Sequence, residues 1–580
     1  MRRWTCLAWS VSLSLSFGVQ AAESVLPPSP QVLGETNRLQ LIEFLAPPIP
    51  EEAVPPAPLN QLGPKDGASL PPMIASQAGT YASPSTAPGM AAPAPAAAKP
   101  AGPPKPPPQP WKPCFFDNDF SYKKDPKHTP LIGEELKDMS LDGVLPWDIG
   151  EDTRLSVGGE LRYRYMNESN RLRAPFLNNG AQSTYDLIRW RQYFDLKHSD
   201  WVRVYVEGID ASINHADLPI TGIDVNRWDL QNAFVDLKVF ERDDKPVWLR
   251  VGRQEMNFGS QRLVSALDWA NTRRNFEGLR INSPGTTWDL DAWLTHPLNT
   301  ATFGTGQGLG VFRNDHAFDQ AEESITFGGG WATYKGIKDH TIDSYFLWAQ
   351  YDKPVVGGVG FPPVPPNSFP LGDIYTLGTR WQGTFNVDGG ERAYLADVEG
   401  GYQFGNNKGE DVQAGFFVLG GGHTWKTVKW EPTVWMFYDW ASGDSNPADG
   451  TNNTAFQYYG LVHAYLGLID NVARQNISDI NYRVQLKPTK KLQLQAAHHF
   501  FQLASQNDSL YTVTGQKFGL PGNPSGNVGQ ELDLVATYTV NQNLSIEAGQ
   551  FWFMYGDYIH NVQPLRQDAQ QFYVQTTFRY

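Results

Sequence analysis

Cysteine is almost absent from this sequence: 580 residues hold only Cys6 and Cys114. Cys6 falls inside an apolar leader, too far from its cleavage site to become a lipid-anchored first residue. Removal of the leader leaves Cys114 alone, which excludes a disulfide-stapled scaffold. Long apolar runs are missing too. Past the leader nothing is long enough for a membrane-spanning helix, and mean hydropathy is -0.42. Spanning strands stay open, since a strand needs only about ten residues and every second one can be polar. Positive charge is in deficit, at a net -14 and an isoelectric point near 5.3, so no nucleic acid is expected as partner. Motifs of hydrolytic, metal and redox chemistry are also lacking, with no HExxH, no Gly-x-Ser-x-Gly elbow and no CxxC pair. The run from Gly304 to Gly310 lacks the Lys-Ser/Thr of a phosphate loop and reads as a plain loop. His498 and His499 are adjacent on a strand, point to opposite faces and cannot chelate together. No catalytic residue and no cofactor is assigned, and the chain is not expected to be an enzyme. The one calcium candidate is Asp444, Asn446 and Asp449 in a Gly-containing external loop, with a solvated loop as the plainer reading.

What the sequence does hold is aromatic and turn-rich: 19 Trp, 24 Tyr, 31 Phe and 54 Gly suit a sheet protein with many turns. Arg2 and Arg3, a Ser-interrupted apolar core from Trp4 to Val19, and the small residues Ala21 and Ala22 form a signal peptide over 1–22, directing export. Residues 23–113 are a Pro/Ala-rich tract that buries too little to fold, and are expected to be a disordered periplasmic linker. Roughly 90 residues at ~3.1 Å each would reach ~280 Å, far enough to meet the cell wall or periplasmic partners. Within it Glu35 to Leu45, with Leu39, Ile42 and Leu45 at helical spacing, reads as a transient helix. A hinge is expected over 114–151.

From 152 to 580 the pattern is one of strands. Leu155, Val157, Leu161, Tyr163 and Tyr165 alternate with Arg154, Ser156, Glu160, Arg162 and Arg164, a period of two. Ile188, Trp190, Phe194 and Leu196 alternate in the same way with Arg189, Arg191, Asp195 and Lys197, and Val202, Val204 and Val206 with Arg203, Tyr205 and Glu207. Tight turns are legible at Lys487-Pro488-Thr489-Lys490 and Asn541-Gln542-Asn543, and long polar connections at Gly357–Gly372 and Ser442–Ala455. Short turns alternating with long loops suit a transmembrane β-barrel. A soluble sandwich alternates too. Export, aromatics near strand ends (Trp190, Tyr193, Trp201; Trp430, Trp435, Trp440) and a last strand with Phe572, Val574, Thr576, Phe578 and Tyr580 favour the barrel. That closing pattern resembles the signal read by the barrel-insertion machinery, an expected partner beside outer-membrane lipid. About 430 residues at about 24 per strand give about 18 antiparallel strands, an all-β barrel in a Gram-negative type outer membrane.

The most distinctive stretch, "GRQEMNFGSQRLVSALDWANTRRNFEGLRI" from Gly252 to Ile281, holds Arg253, Arg262, Arg273, Arg274 and Arg280 among Glu255, Asp268 and Glu277. Together with "DVNRWDLQNAFVDLK" (224–238), "YDWASGD" (438–444), "HAYLGLIDNVARQN" (463–476) and "ELDLVATYTVNQNLSIEAGQFW" (531–552), it resembles the alginate-export family of outer-membrane proteins. The resemblance spans about Phe115 to Tyr580 and leaves out the Pro/Ala tract. It implies an 18-stranded barrel whose arginine-lined pore passes an anionic uronate polymer. The residues themselves agree in part. Arg162, Arg164, Arg189, Arg191 and Arg203 fall on the polar parity of the first three strands, and guanidinium groups suit carboxylates. With Arg253, Arg262, Arg273, Arg274, Arg280 and the facing Glu160, Asp195 and Glu207, they are the expected solute path. For each arginine the alternative is a salt-bridge ladder that braces the wall. The leading expectation is a channel for anionic polysaccharide or oligosaccharide, transport without chemistry. A general anion-preferring diffusion porin tethered to the cell wall is the second reading, and an outer-membrane barrel hydrolase the third.

Overall fold

The computed structural model describes residues 110–125, 128–144, 150, 152–172, 181–218, 220, 222–298, 318–352, 371–519 and 521–580. The signal peptide, the linker up to 109, the Glu35–Leu45 helix and the Gly304–Gly310 loop lie outside the described residues.

Alternating sequence becomes a closed wall of eighteen long strands. They are β1 (Thr153–Ser169), β2 (Gln182–His198), β3 (Val202–Asn214), β4 (Asn226–Arg242), β5 (Lys245–Gln254), β6 (Phe276–Ser283), β7 (Trp288–Pro297), β8 (Ile325–Tyr334) and β9 (His340–Tyr351). The second half has β10 (Gly372–Val387), β11 (Arg392–Asn407), β12 (Glu410–Trp425), β13 (Thr433–Ala441), β14 (Ile477–Leu486), β15 (Leu492–Gln502), β16 (Asn527–Thr539), β17 (Leu544–Tyr555) and β18 (Ala569–Arg579). Each pairs antiparallel with its sequence neighbours, and β1 pairs with β18 from Glu160↔Arg579 to Ser169↔Gln570. Closure removes both sheet edges, which is what lets strands cross lipid with every backbone polar group satisfied.

At the end where β1 begins and β18 stops, the turns are short: 199–201, 243–244, 284–287, 335–339, 388–391, 426–432, 487–491 and 540–543. At the other end the connections are long, reaching 442–476, with one exception in the two-residue turn Lys408–Gly409. In barrels of this layout the short-turn end is periplasmic. Leu161, Tyr163, Ile188 and Phe194 are exposed on the outer face, whereas Arg162, Arg164, Arg189 and Arg191 are buried within. Exposed aliphatic and buried arginine invert the soluble order, as a lipid-facing wall requires. The aromatic belt read from strand ends is partly corrected. Trp201 and Trp430 are exposed at short turns, but Tyr193 and Trp435 are buried inside, and Trp190 lies mid-strand opposite Leu161. Period-two parity, and not nearness to a strand end, sets the side a ring faces.

The lumen is filled in two halves. Toward the long-loop end, inward-facing Tyr185, Leu187, Ile213, Trp293, Phe327 and Leu347 join two connections that fold inward. Connection 255–275 contributes Met256, Phe258, Leu263 and Val264, and 442–476 contributes Tyr458, Val462, Leu466, Ile469 and Val472. Ser265 N donates to the Tyr459 carbonyl at 2.9 Å and Tyr459 N to that of Leu263 at 2.8 Å, stitching the two together.

Toward the short-turn end, the stretch expected as a hinge enters the lumen. Cys114, Phe115 and Phe116 pack against inward-facing Tyr193, Tyr205 and Phe234 and against Ala266. Further along, Ile132 exchanges hydrogen bonds with the Asn543 side chain at 3.1 and 3.0 Å, and Met139 pairs with Leu155 at the start of β1. Lys137 Nζ donates to the Val157 carbonyl through space that Gly158 leaves open, where a Cβ would lie 2.3 Å from that Nζ.

Candidate functional site

Register brings the inward arginines and carboxylates of neighbouring strands together. Near the short-turn mouth Arg203 on β3 clasps Asp195 on β2, with Nε and Nη2 at 2.7 and 2.9 Å. Arg250 on β5 clasps Asp236 on β4 at the same two distances. Arg280 on β6 meets Asp291 on β7 at 2.7 Å. Deeper in, Glu160 holds Arg189 at 2.6 Å and Arg579 at 2.9 Å, and Arg191 lies 2.5 Å from Glu207. The motif-bearing connection 255–275 adds its own charges to this layer. Glu255 and Asp268 both ion-pair with Arg273, and they reach Arg191 at 3.4 Å and Arg189 at 2.8 Å. Arg262 crosses to β11, 2.8 Å from both Asp397 and Glu399.

Three of the expected arginines have carbonyl or amide partners and, among the described residues, no carboxylate within ion-pair distance. Arg162 donates to the carbonyls of Asp268 and Ala270 at 2.7 and 2.5 Å. Arg164 donates to Gln575 at 2.8 Å and lies 3.7 Å over the Trp269 ring. Arg274 donates to the carbonyls of Ser265 and Tyr459. Arg253 sits apart at the upper end of β5, bonded to the Leu230 and Asp319 carbonyls and 3.3 Å from Glu277.

Apart from Arg162, Arg164 and Arg274, the inner wall sets guanidinium against carboxylate as a compensated array. In a low dielectric a buried charge needs such partners, and Arg162 and Arg164 take theirs from carbonyl and amide oxygens and a Trp ring. Beside the array runs a row of rings. Tyr193, Tyr205 and Phe234, on β2, β3 and β4, stack with centroids 5.8 and 5.1 Å apart and interplanar angles of 17° and 15°. The Arg250 guanidinium lies 3.6 Å over Phe234.

Sequence reading missed Arg250, Arg380, Arg483 and Arg579, the acids Asp397 and Glu399, and the row of rings. Arg250 carried the signal that found Arg203, an inward parity on a strand. Asp397 and Glu399 meet Arg262 across 135 and 137 residues, a separation on which one sequence is silent. At the calcium candidate both aspartates make local turn bonds. Asp444 Oδ1 accepts the Asn446 amide at 3.0 Å and Asp449 Oδ1 the Thr451 amide at 2.8 Å. Among the described residues no group of three or more His, Cys, Asp or Glu is placed to hold a metal. His499 faces inward, 2.7 Å from Asp479, and His498 turns to Gln530 at 3.2 Å, on opposite faces as their adjacency requires.

The sequence pattern of the alginate-export family matches residues 153–572, from the start of β1 into β18. No curated protein sequence matches the chain. Among solved structures, the outer membrane protein OprD from Pseudomonas aeruginosa is similar at 13% identity and a TM-score of 0.46, over 74% of this chain and 94% of that one. OccK5 (OpdH) from Pseudomonas aeruginosa is similar at 12% identity and a TM-score of 0.45, over 73% and 98%. A closed barrel with lipid-facing aliphatics and a family pattern running nearly its whole length lead to one conclusion: the chain belongs to the alginate-export family and is an outer-membrane channel.

Proposed function

We propose that the channel passes an anionic polysaccharide or oligosaccharide, alginate-like in carrying carboxylates and hydroxyls on one chain, along its arginine-rich inner wall. The observation that carries this reading is the compensated array on β2–β7, with Arg203, Arg250 and Arg280 each set against an aspartate. A pore for small anions is best served by uncompensated positive charge, because its selectivity rests on the net field. Alternating donors and acceptors instead match a sugar acid, which can exchange with one Arg–carboxylate pair at a time. Family membership supports the same solute class. In this reading the signal peptide over 1–22 exports the chain, the insertion machinery seats it in outer-membrane lipid, and the Pro/Ala linker reaches periplasmic or cell-wall partners.

Planar-bilayer recording of the full-length protein tests the proposal. The expected result is an ion current blocked by uronate oligomers and not by neutral oligosaccharides of equal length. Current without any saccharide block would move the reading to a diffusion porin, and a protein that never conducts would overturn both. Replacing Arg162 and Arg189 with Glu reverses ion preference if the two line an open lumen, and unchanged selectivity places both in the bracing ladder, off the solute path.

A further inference from the structure

The row of Tyr193, Tyr205 and Phe234 lies on three adjacent strands of the periplasmic half, with Arg191, Arg203 and Arg250 beside it. Stacked on one another, the three rings offer a row of apolar edges against which the C–H faces of sugar rings can pack, and guanidinium suits their carboxylates. The chain covers this surface with its own N-terminal segment. Phe115 packs 5.6 Å from Tyr193 and 4.1 Å from the Arg191 guanidinium. Phe116 meets Tyr205 and Phe234 edge-on at 5.7 and 5.3 Å, with the Arg250 guanidinium 4.4 Å away. The backbone supplies oxygens to match. The Pro113 carbonyl accepts from Arg273 Nη2 at 2.9 Å and the Phe116 carbonyl from Arg203 Nη2 at 2.7 Å. Arg250 Nη1 is buried without a hydrogen-bond partner among the described residues.

We propose that this cleft is a binding site for a carboxylate-bearing saccharide, and that Pro113–Phe116 is its internal ligand, displaced when solute enters from the periplasmic side. The inference rests on the saccharide reading above and adds to it a site and a competitor. Withdrawal of the segment frees one donor on Arg203 and one on Arg273, and Arg250 Nη1 already lacks an acceptor beside the Phe116 ring. Buried donors without acceptors are costly, so the vacated cleft favours an oxygen-rich ligand over emptiness. Segment and solute exclude each other, and the apparent affinity for solute falls in proportion to the time the segment is docked.

Native Cys114 supplies a lock for the test. Its Sγ lies 3.1 Å from Asn257 Nδ2 in the inward connection, so Asn257→Cys brings two thiols together. Calorimetric binding of a uronate hexamer to this full-length variant in detergent is expected to vanish on oxidation and return on reduction of the same sample. Joint Phe115→Ala and Phe116→Ala should tighten binding about tenfold, the factor for a cleft otherwise open about a tenth of the time. Adding Tyr205→Ala should weaken it again. Binding that ignores a verified disulfide, or that ignores the loss of both rings, overturns the internal ligand. Single-channel conductance on the same samples keeps the two readings apart. Variants that conduct yet bind no hexamer in either redox state overturn this site and leave the channel standing, whereas absence of conductance overturns the channel itself.

Discussion

Glu160 holds guanidinium groups from the strands on either side of it, Arg189 at 2.6 Å and Arg579 at 2.9 Å. Glu160→Gln would leave Arg189 with Asp268 alone and remove the Glu160 partner of the partly exposed Arg579, a change that costs about 1–3 kcal/mol. Guanidinium-induced unfolding in detergent should show it, and a loss under about 1 kcal/mol would contradict the buried layer. A second pair sits in the N-terminal segment, where His128 Nε2 and Glu134 Oε1 are 2.6 Å apart. The Asp125 carbonyl, then Glu134, raises the His128 imidazole above its ordinary 6.5. Burial alone would raise the Glu134 carboxyl, but the Leu131 amide and His128 outweigh it and hold it below 4.5. The raised base stabilises the segment fully below pH 6.5 and less as pH climbs through its folded value. The lowered acid stabilises it above pH 4.5 and less as pH falls through its own folded value, so the pair is firmest between the two. Titration of the His128 ring by NMR should give a midpoint above 6.5 that drops in Glu134→Gln. At this scale the sequence showed which way Arg162, Arg189, Arg191 and Arg203 point, because parity is local. It was silent on whom they meet, because Asp268 and Glu255 arrive from a distant connection.

β1, β2 and β3 were legible because one face of each must meet lipid and the other must not, and a one-residue slip would exchange them. The inward connections were not, although their content held a clue: Leu263, Val264, Leu466, Ile469 and Val472 are too apolar for a water-exposed loop, and all are buried. Segment 114–151 reads as a hinge because its neighbour is the Pro/Ala tract, while Phe115 and Phe116 give no periodicity to weigh. Its seating depends on the gap at Gly158, where an added Cβ would lie 2.3 Å from Lys137 Nζ and 2.4 Å from the Tyr580 carbonyl. Gly158→Ala is expected to unseat the segment and expose the buried thiol of Cys114. Maleimide labelling measures this directly: faster labelling in a barrel that keeps its heat-modifiable mobility supports the packing, and unchanged protection contradicts it.

For the barrel as a whole, inside and outside tolerate opposite chemistry. Leu161 is 49% exposed at the centre of β1, and its neighbour Arg162 is 3% exposed on the lumen side. Leu161→Arg should cost about 2–4 kcal/mol in phospholipid vesicles, the charge of a guanidinium at mid-membrane. Unfolding in vesicles reads it, and a negligible cost would place Leu161 away from lipid. The path of the N-terminal segment carries a further consequence, one of timing. Ile132 is bonded to the turn before β17, Met139 to β1, and the Tyr580 and Gly159 backbones pair across the seam beside them. The seat of the Ile132–Met139 stretch is therefore complete only once the last strand has paired with the first. Docking of this stretch against the seam follows the zipping of β18 onto β1.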